Sequence, residues 1–245
     1  MTAEVIDFED LRSNKKGRPP RISVGLRNVS RDCRKEILRT YSYHAFWLGG
    51  VSKKQYAELL YAHLCLRQAL EAMFESLDGT FRVSDIISQE QKSFAVDKYV
   101  TVRRIKSPQL QQDIEELEQL LDVRCTQLPA KAQELINYME RAKEVYSAAL
   151  LGILYMLEET VIYAGPGIAK VLDHHLKLNG KATQYLQGSR NQKADLWEFR
   201  KSLDLITDFQ TQANILIASS ITYRMYRDLL DPHPVIPLGK PGIFH

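Results

Sequence analysis

Cysteine is scarce in this chain: three in 245 residues (Cys33, Cys65 and Cys125), odd in number and widely spaced. This excludes a disulfide framework and a cysteine-rich zinc site. It suits reduced thiols in the cytoplasm or in a stroma-like reducing compartment of an organelle. Long apolar runs are also missing. The longest, Ala148 to Leu157, stops at Glu158-Glu159, well short of the roughly 20 residues a bilayer span needs. No membrane is expected as a partner. The first residues carry Glu4, Asp7, Glu9 and Asp10, the wrong charge for a secretory signal. Neither sign of charge dominates, with 33 Lys and Arg against 30 Asp and Glu, so the net +3 does not by itself point to nucleic acid.

Motifs that carry chemistry are sparse too. The chain has no glycine-rich phosphate loop, no G-x-S-x-G and no HExxH. Of the six histidines, none forms a Glu-x-x-His pair. His63 shares a helix face with Glu71, but nothing on the other helices completes a metal set. Asp173-His174-His175 are adjacent and so diverge around a helix. A dinuclear iron site is therefore not expected.

What is present is helical periodicity. Residues 52–77 place Leu59, His63, Leu66, Leu70, Met73 and Leu77 at spacings of three and four, and Ser52 is suited to cap that helix. Similar stripes run over 107–122, 130–163, 168–178 and 194–230. No segment alternates with period two for long, and no repeat of fixed length recurs. With 44% hydrophobic and 26% charged residues, the chain reads as one all-α bundle of six to eight helices. Gly165-Pro166-Gly167 interrupts the stripe, which predicts either a loop between two helices or a kink beside a bound planar ligand.

Both ends read differently. Residues 1–22 form a basic tail, and 231–245 a proline-rich one that cannot continue a helix. Within the first, Lys15-Lys16-Gly17-Arg18-Pro19 has the form of a minor-groove hook. A solvated basic tail is the preferred reading, so nucleic acid is not an expected partner.

From Leu26 onward the chain resembles the heme oxygenase family. Leu26-Arg27-Asn28-Val29-Ser30-Arg31-Asp32-Cys33-Arg34 fits that family's opening helix, L-[KR]-x-x-[TS]-x-x-x-H. Phe46, Gly49, Val51 and Tyr56 follow, then Leu59, Leu70 and Glu71. Arg104-Ile105-Lys106-Ser107-Pro108-Gln109-Leu110 with Asp113 and Leu117 resembles a stretch of bacterial members. Gly152-Ile153-Leu154-Tyr155-Met156-Leu157-Glu158-Glu159 is similar to their lead into the distal helix, and Trp197-x-Phe199 and the helix from Tyr223 to Leu230 also fit. The resemblance covers roughly residues 23–230. It implies a single heme-oxygenase-like helical domain that holds heme between a proximal and a distal helix. In that family a proximal histidine ligates the iron, and distal glycines make room for dioxygen. Heme is then opened to biliverdin, iron and carbon monoxide.

The sequence departs from that pattern on both faces. The proximal position falls on Arg34, which stays protonated and offers iron no lone pair. On the distal side, Glu159 stands for the first glycine and Tyr163-Ala164 for the Gly-Gly pair. Tyrosine takes up volume that heme and dioxygen need, and a buried glutamate is costly unless paired. Arg34 and Glu159 are placed to pair across an emptied pocket. His44 is the alternative iron ligand, and Gly165 and Gly167 are an alternative source of distal flexibility; His63 reads as an interior histidine. Were heme bound, Arg27, then Arg200 and Lys201, are the candidate propionate partners. The leading expectation is a pseudoenzyme that binds a tetrapyrrole or a protein partner without cleaving heme. The rivals are an active heme oxygenase ligated by His44, and an iron-dependent oxidase on the same scaffold.

Overall fold

A computed structural model describes residues 21–77, 105–121, 124, 127–189 and 191–230. The hook-like stretch in residues 1–20, the proline-rich 231–245 and Cys125 lie outside the described residues. Among those described, every regular element is helical. In chain order they are α1 (Ile22–Ile37), α2 (Tyr41–Leu48), α3 (Lys53–Leu77), α4 (Ser107–Leu121), α5 (Ala130–Val145), α6 (Ala149–Leu176), α7 (Gln184–Gln187), α8 (Gln192–Ser202) and α9 (Phe209–Leu230). A single 3₁₀ turn, Leu203–Leu205, follows α8.

Helix α6 is the axis of the molecule. Its first eleven residues, Ala149 to Glu159, are all buried, the signature of a helix enclosed on every side. Helices α1, α5, α8 and α9 and the second half of α3 pack around that first half of α6 in one apolar cluster. Helices α2, α4 and α7 and the first half of α3 pack around its second half in another. Gly152 lets α6 and α9 approach closely, because a Cβ there would collide with the Ile215 carbonyl.

Helix ends are satisfied by side chains, often from distant elements. Ser52 accepts the Gln55 N–H at 3.2 Å while Gln55 Oε1 accepts the Ser52 N–H at 2.9 Å, a reciprocal capping box on α3. Asp204 accepts both the backbone N–H and the hydroxyl of Ser23, each at 2.7 Å, which closes the start of α1. Glu71 accepts the N–H groups of Lys106 and Ser107 at 2.7 and 3.0 Å at the start of α4. Asp113 accepts those of Gln184 and Tyr185 at 3.0 and 2.8 Å and so caps α7.

The described residues form nine α-helices rather than six to eight, and the structure differs from the sequence reading in three places along the chain. The stripe over 130–163 is two helices, because Tyr146 takes an extended backbone (φ −151°, ψ 97°). The stripe over 194–230 is likewise two helices with the 3₁₀ turn between them. Both partners face one core, so the apolar spacing runs on across each break. Conversely, α6 runs unbroken through Gly165-Pro166-Gly167, which is neither loop nor chain break. Pro166 lacks the N–H that the Ile162 carbonyl would accept. Packing holds the segment in place: a Cβ on Gly165 would stand 2.5 Å from the Leu186 carbonyl oxygen, and Gly167 lies under the Trp47 ring.

Candidate functional site

The site is built between α1 and α6, with α9 behind it. A cavity of about 100 Å³ lies there, lined by Arg34, Glu159, Tyr163, Ala164 and Gly165 together with apolar side chains and the His63 ring. Five of the residues singled out from sequence thus meet in one place. Gly167 lies less than one turn further along α6, against Trp47. Arg27 is exposed on α1 and does not line the cavity. His44 is exposed on α2 and also stands outside it, while its neighbours Tyr43 and Phe46 line it. Of the later candidates, Lys201 packs on the Trp197 ring, 3.8 Å from its centroid. Arg200 brings its positive charge close to Tyr155 and Glu159.

Arg34 and Glu159 form an ion pair of 3.2 Å across the cavity, Arg34 half-exposed and Glu159 buried. Arg34 Nε also donates to the Ser30 carbonyl at 3.3 Å, and its guanidinium lies 5.3 Å from the centroid of the exposed Tyr163 ring. Behind the pair, Tyr223 donates to Glu159 Oε2, and Ser30 Oγ donates to the Tyr155 hydroxyl at 3.2 Å. Burial pushes the Glu159 carboxyl above its ordinary range, against the Tyr223 hydrogen bond and the charges of Arg34 and Arg200. The same enclosure pushes Tyr223 well upward, so it remains a donor.

A second network closes the inner wall. Arg67, 1% exposed, donates from Nη1 to Glu158 at 2.6 Å, from Nη2 to the Leu157 carbonyl at 3.1 Å and from Nε to the Tyr185 hydroxyl at 3.2 Å. Arginine only donates, so Tyr185 accepts from it and gives its own proton to His63 Nδ1 at 3.3 Å. That assigns the ring proton to Nε2, which donates to the Tyr226 hydroxyl at 2.9 Å. Burial, then the nearby Arg67 charge, lowers His63 to about 3. The imidazole is neutral at physiological pH, and both its nitrogens are engaged.

Among the described residues no group of three His, Cys, Asp or Glu is placed to hold a metal. Burial and the charge of Glu36 push the Cys33 thiol up to about 11, so it is not a thiolate at neutral pH. No helix among the described residues is long and apolar enough to cross a membrane.

Sequence reasoning missed Ser30, Arg67, Glu158 and Tyr226 as parts of these networks. A signal existed for two of them. Ser30 is one turn before Arg34 on α1, and Arg67 falls on the apolar stripe between His63 and Leu70, where a charge demands a partner.

The family model of heme oxygenases matches residues 21–231. The chain belongs to the heme oxygenase family. Two solved structures share its all-α fold. One is the heme oxygenase of Leptospira interrogans, with 15% identity and a TM-score of 0.69, covering 86% of this chain and 99% of that one. The other is heme oxygenase-1 of the cyanobacterium Synechocystis in complex with heme, with 15% identity and a TM-score of 0.68, covering 85% of this chain and 90% of that one. A search of curated proteins finds no match.

Proposed function

We propose that this chain is a pseudoenzyme of the heme oxygenase family, a binding module that does not cleave heme and whose heme site is reduced to a small pocket. The observation that carries this reading is the Arg34–Glu159 pair. The residue at the expected proximal position and the residue in place of the first distal glycine meet each other instead of facing a cofactor plane. The space agrees with that: about 100 Å³ lies behind the pair, against roughly 300–1,000 Å³ for ordinary small-molecule pockets. The residues present do not fit a histidine-ligated heme. Arg34 cannot ligate, His44 is exposed and does not line the cavity, and His63 has both nitrogens hydrogen-bonded. A tetrapyrrole would enter only by parting Arg34 from Glu159, which leaves a buried carboxylate without its cation.

The test is turnover. With heme, dioxygen and a reductant, the purified chain is expected to release neither biliverdin nor carbon monoxide. The variant Arg34→His is expected to stay inactive as well, because Glu159 and Tyr163 still occupy the distal side. Biliverdin formation that His44→Ala abolishes and Arg34→Ala leaves intact would establish an active heme oxygenase instead.

A further inference from the structure

Helix α6 ends at Leu176 and α7 begins at Gln184, and the turn between them is built on left-handed backbone. Lys177 closes α6 with φ 56°. Asn179 and Gly180 follow with φ 54° and 77°, and across them the Lys181 N–H donates to the Leu178 carbonyl at 3.2 Å. Two successive residues of positive φ inside such a bond have the signature of a type I′ turn, which strongly favours Asn-Gly. The pair that suits this backbone is also the pair in which an asparagine amide is most open to attack by the following backbone nitrogen, because glycine puts no side chain in the way. Asn179-Gly180 is the one Asn-Gly pair in the chain. Both residues are exposed, and a Cβ on Gly180 would meet nothing within 4 Å, so water has free access to the turn. The attacking group is not free, however: the Gly180 N–H donates to Asp173 Oδ1 at 2.7 Å.

We propose that Asn179 is a site of spontaneous deamidation, that Asp173 restrains it, and that its isoaspartate product loosens α7. The Gly180 nitrogen gives its proton to solvent base and attacks Asn179 Cγ. A C–N bond closes a five-membered succinimide as the C–NH2 bond breaks, and ammonia leaves. Water then opens the ring at either carbonyl, giving aspartate or isoaspartate; one water is consumed and one ammonia released. Asp173 opposes the first step. Its carboxylate holds the Gly180 proton in a charge-assisted bond and repels the amide anion that has to form. The two products differ in what they do to the fold. Aspartate keeps the backbone path and tolerates positive φ. Isoaspartate carries the main chain through the side chain and adds a methylene to it, which breaks the turn. The change passes to Ala182, whose N–H donates to Glu116 Oε2 at 2.6 Å and whose carbonyl accepts from the Tyr56 hydroxyl. From there it reaches α7, where Leu186 lines the Arg34 cavity and Tyr185 accepts from Arg67.

The experiment incubates the full chain at mildly alkaline pH and follows its proteolytic peptides by mass spectrometry, with aspartate and isoaspartate separated by chromatography. Asn179 is expected to convert before any other asparagine. Asp173→Ala should speed that conversion about tenfold, the rate equivalent of one hydrogen bond to a charged group; circular dichroism checks that the variant is folded. Wild type unfolded in urea should also convert faster than folded wild type, because the Asp173 contact is gone. Hydrogen exchange over residues 182–187 should quicken as isoaspartate accumulates. It should stay slow in Asn179→Asp, which adds only the charge, and in aged Asn179→Gly, which keeps the turn and has no amide to lose. Another asparagine converting first in the folded chain would overturn the proposal. So would a folded Asp173→Ala that reacts no faster than wild type, a wild type that reacts no faster unfolded than folded, or exchange at α7 that ignores isoaspartate.

Discussion

Glu159 and Glu158 are neighbours in the sequence, yet each is buried against a different arginine and serves a different wall. Glu159 reaches Arg34 at the mouth, and Glu158 reaches Arg67 in the core. Arg67 is enclosed and donates three hydrogen bonds, so removing it strands a buried carboxylate. Arg67→Met is expected to lower stability by about 3–5 kcal/mol in urea unfolding; a loss below about 1 kcal/mol would contradict the network. His63 gives a pH signature. Its folded-state pKa, about 3, lies below the ordinary 6.5, so the stability it contributes is present above pH 6.5 and is lost as pH falls toward 3. In that window the wild type should lose about 1.4 kcal/mol per pH unit more than His63→Gln. Asp113, which burial raises to about 6, titrates with the opposite sign but is common to both proteins, so the difference isolates His63. The pairing of Arg34 with Glu159 was legible because both residues break a family pattern at facing positions. Arg67 with Glu158 was not: an i, i+4 stripe shows that a charge is buried but not which distant helix answers it.

At the scale of the element, α6 decides the architecture. Its register places Glu158 inward toward α3 and Glu159 toward α1, about 100° apart around the axis. Its glycines are of two kinds. Gly152 faces backbone, since a Cβ would meet the Ile215 carbonyl, which cannot move without shifting α9. Gly167 faces the Trp47 side chain, which is 40% exposed and free to swing outward. Gly152→Ala is therefore expected to destabilise by about 1–3 kcal/mol in thermal or urea unfolding, and Gly167→Ala by clearly less. Equal costs would mean that α6 and α9 are not in the close contact described. Helix existence was legible almost everywhere, since apolar spacing reports which face is buried. Helix ends were less so. The break at Tyr146 is invisible to spacing, and Gly165-Pro166-Gly167 read as either a loop or a kink, whereas the helix runs on through it.

At the scale of the molecule, the heme oxygenase fold is kept, and the proposed reading has its heme site narrowed to the cavity of about 100 Å³. The two apolar clusters meet along α6, and the pocket sits where α1 and α6 separate between them. The fold class and the family were readable from the order of weak motifs along the chain. The network behind the Arg34–Glu159 pair was not, because it depends on Tyr223, Ser30 and Tyr155 converging from three helices. The most direct measurement is a heme titration of the purified chain followed in the Soret region, with Arg34→His and His44→Ala in parallel. The account predicts no saturable Soret change in the wild type or in His44→Ala. A stoichiometric Soret band in the wild type that disappears in His44→Ala would contradict it.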